Sequence, residues 1–272
     1  MIGYVFIFFI LLLEGIYFTA YNLQNAYPLF GTTLSAVTFI FLILVPVLTM
    51  KTIAEERKQK TDQLLLTAPV SVSEIVLGKF LAVATVYAIP VLIICLYPMI
   101  MGKYGTVSYA MAYTAVLGFA LLGFAQIAVG VFWSSVTENP VIAAVVTFIV
   151  LFVCYMITGI GSLIPDSSMA SLACYMLLVL LAAVWIYHMI RNLWIAAVIG
   201  IAGEAALAIT YVVKSTLFEG SIQKFLSVFD ITSHFDNFTN GILDLKGVVY
   251  FLSVIIIFLV LTVQTITKRR WN

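Results

Sequence analysis

The sequence predicts an all-α integral membrane protein: a polytopic helical bundle with six to eight transmembrane helices, of which eight are favoured. Hydrophobic residues make up 64% of the 272 residues and the mean hydropathy is +1.17. That share lies far above the roughly 45–50% apolar content of a soluble domain. Charged residues make up only 9%. Apolar stretches of about 20 residues, the length that crosses a bilayer, recur along the chain.

Eight stretches are apolar and long enough to cross a membrane. They are residues 4–21, 32–53, 75–101, 109–133, 141–163, 170–190, 193–213 and 247–267. Only Arg191 and Asn192 separate the sixth from the seventh, so we expect a tight hairpin of spans there. A pair that lies on the membrane surface or is half inserted is the alternative. The polar residues 214–246 are expected to form two short interfacial helices outside the membrane.

The most polar part of the chain lies between the second and third spans. Residues 51–62 carry seven charges, and each Asp, Lys or Arg costs roughly 2.5–3.5 kcal/mol at mid-bilayer, so this segment faces water. Residues 54–67 contain no Gly or Pro and end in three leucines, which predicts a short helix with a charged first half and an apolar second half. Pro69 ends that helix. Ser71 and Glu74 have the spacing of a capping box, which starts the next one.

The distribution of basic residues predicts the orientation. With both termini in the cytoplasm, nine of the thirteen Lys and Arg residues lie inside and four outside, which satisfies the positive-inside bias. Six or eight spans keep both termini on that side. The inside set is Lys51, Arg57, Lys58, Lys60, Lys79, Arg191, Lys268, Arg269 and Arg270, and the outside set is Lys103, Lys214, Lys224 and Lys246.

No motif for catalysis or for cofactor binding is present in the sequence. It has no Gly-x-x-x-x-Gly-Lys-Ser/Thr phosphate loop, no Gly-x-Ser-x-Gly elbow and no His-Glu-x-x-His zinc pair. His234 and Asp236 are too few ligands for a metal, and we interpret them as a polar interfacial pair. No basic stripe suited to nucleic acid occurs. The cysteines are interpreted as small buried apolar residues; they are Cys95, Cys154 and Cys174.

Three parts of the chain resemble one known family. The run EERKQKTDQLLLTAPVSVSEIVLGK, residues 55–79, is similar to the cytoplasmic coupling segment of ABC transporter permeases of the type-2 exporter class, in particular the gliding-motility-type branch. HFDNFTNGILDLKGVVYFLSV at 234–254 with KRRW at 268–271, and the opening IGYVFIFFILLLEGIYF at 2–18, agree with it. In this family a Gly often precedes the Thr of the coupling segment, where this chain has Lys60.

The resemblance implies a function. Residues 1–272 would form one permease domain of an ATP-powered exporter in the cytoplasmic membrane of a bacterium, paired with a second permease copy or a paralogue. A separate ABC ATPase subunit would hold ATP and Mg, so this chain would itself be neither an enzyme nor a cofactor protein. An extracytoplasmic accessory protein would be a further possible partner. The alternatives are a structural or sensory subunit that docks an ATPase without moving a substrate, and an intramembrane enzyme, which the lack of a catalytic constellation disfavours.

The resemblance also assigns roles within the coupling segment, residues 54–74. Charged side chains at its start would contact the ATPase groove, the leucines would fill that groove because apolar anchors of a helix dock into one, and the turn would hold the angle at which force enters the third span. The residues expected to take part are Glu55, Glu56, Arg57, Thr61, Asp62, Leu64, Leu65, Leu66, Thr67, Pro69, Ser71 and Glu74.

Two acidic residues lie inside predicted spans. Glu14 is near the middle of the first and Glu204 near the middle of the seventh. A carboxyl group there is a functional candidate by default, because charge is costly in hydrocarbon. The alternative is that each is protonated, or hydrogen-bonded to a polar side chain of a neighbouring helix. We hypothesise that Glu14 lines the translocation path or the interface between permease copies.

Overall fold

The computed structural model describes residues 2–62, 70–190 and 192–270, which form helices joined by turns, with no strand in those ranges. The predicted all-α class is confirmed. A π-helical segment, Phe18–Gln24, continues the first helix, and a 3-10 turn, Ser215–Phe218, follows the ninth. The α-helices are α1 (Ile2–Tyr17), α2 (Phe30–Thr49), α3 (Ala54–Lys58), α4 (Val72–Ile94), α5 (Tyr97–Met101), α6 (Tyr109–Val136), α7 (Pro140–Ser162), α8 (Ser168–Ile190), α9 (Leu193–Val213), α10 (Ser221–Ser227), α11 (Ser233–Thr239) and α12 (Leu245–Arg270).

Six helical segments of the described chain are long and apolar enough to cross a membrane, or up to seven if a bent pair counts as one span. They match the first five predicted spans and the last one. The predicted hairpin forms as α8 and α9. The six or seven segments lie within the predicted range of six to eight, and a membrane crossing by both helices of the hairpin stays a prediction.

The chain folds into two compact units. Unit 1 comprises Met1–Val153 and Ile231–Asn272, and unit 2 comprises Cys154–Asp230. The first boundary between the units falls within α7, and a single permease domain over residues 1–272 stays a prediction.

The central helix of unit 1 is α6, against which α2, α4, α11 and α12 all pack. An aromatic cluster fills the space between these helices. The ring of Phe41 on α2 lies 4.8 Å from that of Phe119 on α6 and 5.7 Å from that of Tyr87 on α4. The Tyr87 hydroxyl donates a hydrogen bond to the Phe119 carbonyl at 2.7 Å, which meets the need of a buried phenol for a partner.

Glycines allow two helices to approach α6 closely. A Cβ atom at Gly123 would collide with the Tyr87 ring of α4, and one at Gly130 would collide with the Thr49 side chain of α2. Small residues at such contacts are typical of membrane helices, because lipid tails provide no hydrophobic drive for association and close packing has to supply it. The contact at Gly130 fixes the last turn of α2 against α6, just before the polar segment begins.

Unit 2 is built on α8 and α9, which pack against each other and against the 3-10 turn. Tyr175 of α8 contacts Phe218 and Phe225, with ring centroids 6.1 and 6.2 Å away. The Thr158 hydroxyl donates to the buried carboxylate of Asp230. The two short helices predicted within residues 214–246 are present as α10 and α11, and their position outside the membrane stays a prediction.

Candidate functional site

The polar segment that follows α2 forms a short, turned structure, residues 50–62, which we call the elbow. Its helix, α3, ends at Lys58. The prediction of one continuous helix over residues 54–67 is therefore wrong. The reason is Lys60, whose φ of +57° lies in the left-handed region that ends a right-handed helix and that Gly adopts most readily. This is the position at which Gly is common in the family that the segment resembles.

The second half of the predicted coupling segment is described only in part. The predictions for Leu64, Leu65, Leu66, Thr67 and Pro69 lie outside the described residues.

The capping box at the start of α4 is confirmed. The Glu74 amide donates to the Ser71 hydroxyl at 3.3 Å, and the Ser71 amide donates to the Glu74 carboxylate at 2.9 Å. Two amides that have no partner within the helix are thereby satisfied, so α4 has a fixed first turn at Val72.

Arg57 of α3 points into the protein, and its side chain is only 6% exposed. Its Nη1 donates to the Ser135 carbonyl at 2.5 Å and to the Thr137 carbonyl at 3.3 Å, and its Nη2 donates to Glu138 Oε1 at 3.1 Å. Both carbonyls lie at the C-terminal end of α6, where the last carbonyls lack partners and the helix dipole favours a cation. Arg57 therefore caps α6.

Ser134, in the last turn of α6, caps the start of α3 in return. Its hydroxyl accepts hydrogen bonds from the Ile53 and Ala54 amides, both at 3.1 Å, and donates one to the Met50 carbonyl at 3.1 Å. A serine hydroxyl has one donor and two acceptor positions, so all three are used. The end of α6 and the start of α3 thus cap each other, and neither can turn without breaking these bonds.

Lys79 of α4 connects the elbow to the third span. Its ammonium group pairs with the Glu56 carboxylate and donates to the Thr52 carbonyl at 3.0 Å. The Lys79 side chain is 16% exposed and that of Glu56 33% exposed, so solvent screens this pair less than a typical surface pair. The elbow is consequently joined to α4 as well as to α6.

Arg269, near the end of α12, contacts the C-terminal end of α6 beside the elbow. Its Nη2 donates to the Val136 carbonyl at 3.0 Å, and its Nη1 lies 3.8 Å from Glu138 Oε1. Glu138 therefore contacts two guanidinium groups, those of Arg57 and Arg269. The side chains of Arg57 and Arg269, together with Glu56, Asp62 and Lys79, line a cavity of about 40 Å3. Four helices, α3, α4, α6 and α12, meet through polar contacts at the elbow.

The outward side of the elbow is formed by other residues. Lys58 and Thr61 are exposed, and Glu55 is half-buried and lies 3.4 Å from Lys51 in an ion pair. By contrast, Glu56 and Arg57, which were expected to contact an ATPase groove, bind within their own chain. Their geometry fits residues that position the elbow.

The two intramembrane acids lie in different units. Glu14 of α1 is wholly buried in unit 1, and among the described residues neither of its carboxylate oxygens has a hydrogen-bond partner. Glu204 of α9 lies in unit 2 and lines an apolar groove of about 620 Å3 between α8 and α9. A translocation role for either residue stays a prediction.

The remaining candidates are His234 with Asp236 and the three cysteines. The His234 ring stacks on Tyr250 with centroids 3.8 Å apart. In the described ranges no three His, Cys, Asp or Glu side chains come close enough to hold a metal ion. The cysteines are half-buried; they are Cys95, Cys154 and Cys174.

Sequence reasoning missed most of the residues that hold the elbow. It interpreted the polar run at 134–140 only as the end of the fourth span. One signal was present: this run and the elbow are both predicted to lie at the cytoplasmic side of the membrane, and both are unusually polar for this chain. The missed residues are Lys79, Ser134, Ser135, Glu138 and Arg269.

Comparison with protein families gives one match. A family model described as "ABC-2 family transporter protein" matches residues 11–269, which cover all of unit 2 and most of unit 1. Comparison with curated proteins and with solved structures found no match.

Proposed function

Because this chain belongs to the ABC-2 transporter family and is thus a permease subunit of an ABC transporter, we propose that its elbow transmits the motion of a separate ABC ATPase subunit to the membrane helices. The observation that supports this most is the reciprocal capping of α3 and α6 by Arg57 and Ser134. A short helix that only marked the membrane boundary would not need a buried arginine to hold it.

The contacts define a route for the motion. A push on α3 reaches α6 through the Arg57 and Ser134 hydrogen bonds, and it reaches α4 through Lys79. Since α6 packs against α2, α4 and α12, displacement of its end moves the centre of unit 1. Hydrogen bonds to charged groups contribute about 1.5–3 kcal/mol each, so the several bonds that join α3 to α6 and α4 make a stiffer connection than a flexible loop would.

The proposal divides the coupling residues into two groups. The side chains of Glu55, Thr61 and Asp62, together with the leucines at 64–66, would meet the ATPase. Glu56 and Arg57 would hold α3 in place, and the capping box at Ser71 would fix the start of α4, while Thr67 and Pro69 would set the angle between the two.

The finer assignment is also a proposal. The similarity of residues 55–79 to the gliding-motility-type branch supports an exporter of that branch in a bacterial cytoplasmic membrane. The basic residues support cytoplasmic termini and a cytoplasmic elbow. A second permease copy or a paralogue would complete the pathway, and ATP and Mg would be bound by the ATPase subunits.

Transport into inside-out vesicles tests this function. Vesicles that contain the chain and its ATPase are incubated with ATP and a cell extract, and their contents are compared by mass spectrometry with those of vesicles whose ATPase lacks the phosphate-loop lysine. We expect at least one compound to accumulate only with the active ATPase. Equal contents with the ATPase still bound would contradict transport and favour a structural or sensory subunit.

A further inference from the structure

The buried face of the first span holds a carboxyl group that the proposed coupling function does not use. Every fourth residue of this span is buried. The set is Phe6, Ile10, Glu14, Phe18 and Asn22. In an α-helix of 3.6 residues per turn such a row drifts around the axis, and the wider turns of the π-helical segment Phe18–Gln24 counter this drift. The π-helical segment therefore keeps Phe18 and Asn22 on the side of the helix that Glu14 occupies.

Glu14 lies among aromatic side chains. Four residues after Glu14 on the same face, the ring of Phe18 contacts that of Tyr97 with centroids 4.6 Å apart. Eight residues before Glu14, the ring of Phe6 contacts that of Tyr87 with centroids 6.4 Å apart. A Cβ atom at Gly15 would lie 3.8 Å from the Tyr97 hydroxyl, which places this phenol beside the same turn of α1. Glu14 itself is 0% exposed.

No positive charge faces this carboxyl group from the described helices around it. The sequence of α2 contains no titratable side chain. The charged side chains of α4 are engaged at its first half, Glu74 by Ser71 and Lys79 by Glu56. The phenols of Tyr87 on α4 and Tyr97 on α5 are the titratable groups that the ring contacts place beside the buried face of α1. The Tyr87 hydroxyl already donates to the Phe119 carbonyl. An ionised carboxylate without a cation or hydrogen-bond donors is very costly in such surroundings, whereas the neutral acid is not.

We propose that Glu14 is a proton-binding site that links the packing of α1 to pH. In the conformation described here the carboxyl group holds a proton. When α1 moves so that Glu14 meets water, the proton leaves to solvent and the carboxylate remains. The π-helical segment, which begins four residues further on, supplies a place where α1 can bend or change its register, since π-turns are rare and occur often at functional sites.

The sign of the pH effect follows from proton linkage. The packed conformation binds one proton more than the conformation in which Glu14 is ionised, so a rise in pH favours the second. We call the conformation in which Glu14 meets water the open form. At pH values where Glu14 is ionised in the open form but protonated in the packed form, the ratio of open to packed molecules rises by about tenfold per pH unit, because the two forms differ by one bound proton.

Infrared spectroscopy of the full chain in lipid nanodiscs, with 13C-labelled glutamate, tests this. At pH 7 we expect a carboxylic acid C=O band that is lost in Glu14→Gln, a neutral variant of nearly the same shape. In the wild type the band should fall as the pH is raised, together with the unfolding temperature. The unfolding temperature of Glu14→Gln should lack this pH dependence.

Two further variants complete the test. Glu14→Asp keeps a titratable group and should retain a pH-dependent band, and Glu204→Gln should keep the band assigned to Glu14. A fully ionised Glu14 at pH 7 in the folded wild type would overturn the proposal, as would the same pH dependence in the wild type and in Glu14→Gln. None of these measurements needs an ATPase, so a failure here is distinct from a failure of the coupling function.

Discussion

Replacement of Arg57 with leucine is expected to lower ATP-driven transport by about tenfold or more, while the chain still inserts and still binds its ATPase. The substitution leaves the carbonyls of Ser135 and Thr137 without their donor at the end of α6. Hydrogen bonds to charged groups contribute about 1.5–3 kcal/mol each. Glu138 is 72% exposed and returns to solvent, so no buried charge adds to the loss. The measurement is the ATP-dependent accumulation in inside-out vesicles described above.

Three further variants test this explanation. Lys103→Leu changes an exposed cation on the opposite predicted side of the membrane and should transport normally. Transport by Arg57→Lys should lie between that of the wild type and that of Arg57→Leu, because an ammonium group lacks the planar fork that reaches three acceptors at once. Ser134→Ala should resemble Arg57→Leu, since it removes the other half of the reciprocal cap. Full transport by Arg57→Leu at wild-type expression would show that the elbow does not depend on this cap.

Replacement of Leu65 with aspartate is expected to abolish co-purification of the ATPase while leaving membrane insertion intact. The three leucines at 64–66 are the apolar part of the segment that the sequence predicts to dock into an ATPase groove. A charge buried there without a partner costs several kcal/mol, which corresponds to a loss of affinity of about a hundredfold or more. The measurement is the ratio of ATPase to permease after affinity purification from solubilised membranes.

Leu65→Met is the matched control for that experiment. Methionine has a similar volume and fits irregular apolar surfaces, so ATPase binding should persist. Retained ATPase in Leu65→Asp would contradict a docking role for this leucine, and the proposed ATPase surface would then be limited to Glu55, Thr61 and Asp62.

Features that depend on neighbours in the sequence could be predicted well. The capping box needs only Ser71 and Glu74, three residues apart, and it forms as predicted. The six spans follow from apolar length alone, which is why the predicted spans one to five and the last match helices of the structure.

Contacts between distant parts of the chain could not be predicted. Arg57 and Ser135 are 78 residues apart, and Ser134 and Ile53 are 81 apart, so no spacing pattern reveals them. The end of α3 was missed because a lysine does not by itself mark a left-handed residue, although Lys60 stands where the family that the segment resembles often has Gly. The buried state of Glu14 was also beyond the sequence, since the position of an acid along a span does not show which side of the helix faces the protein.

Site-specific photo-crosslinking in native membranes tests whether the elbow receives motion from an ATPase. A photoreactive amino acid is placed at Asp62 or Thr61 in the elbow, or at Lys103 on the opposite predicted side. We expect both elbow positions to crosslink to a protein with an ATP-binding phosphate loop, with a yield that changes with ATP, and we expect no such product from Lys103. An ATPase crosslink from Lys103 and none from the elbow would contradict it.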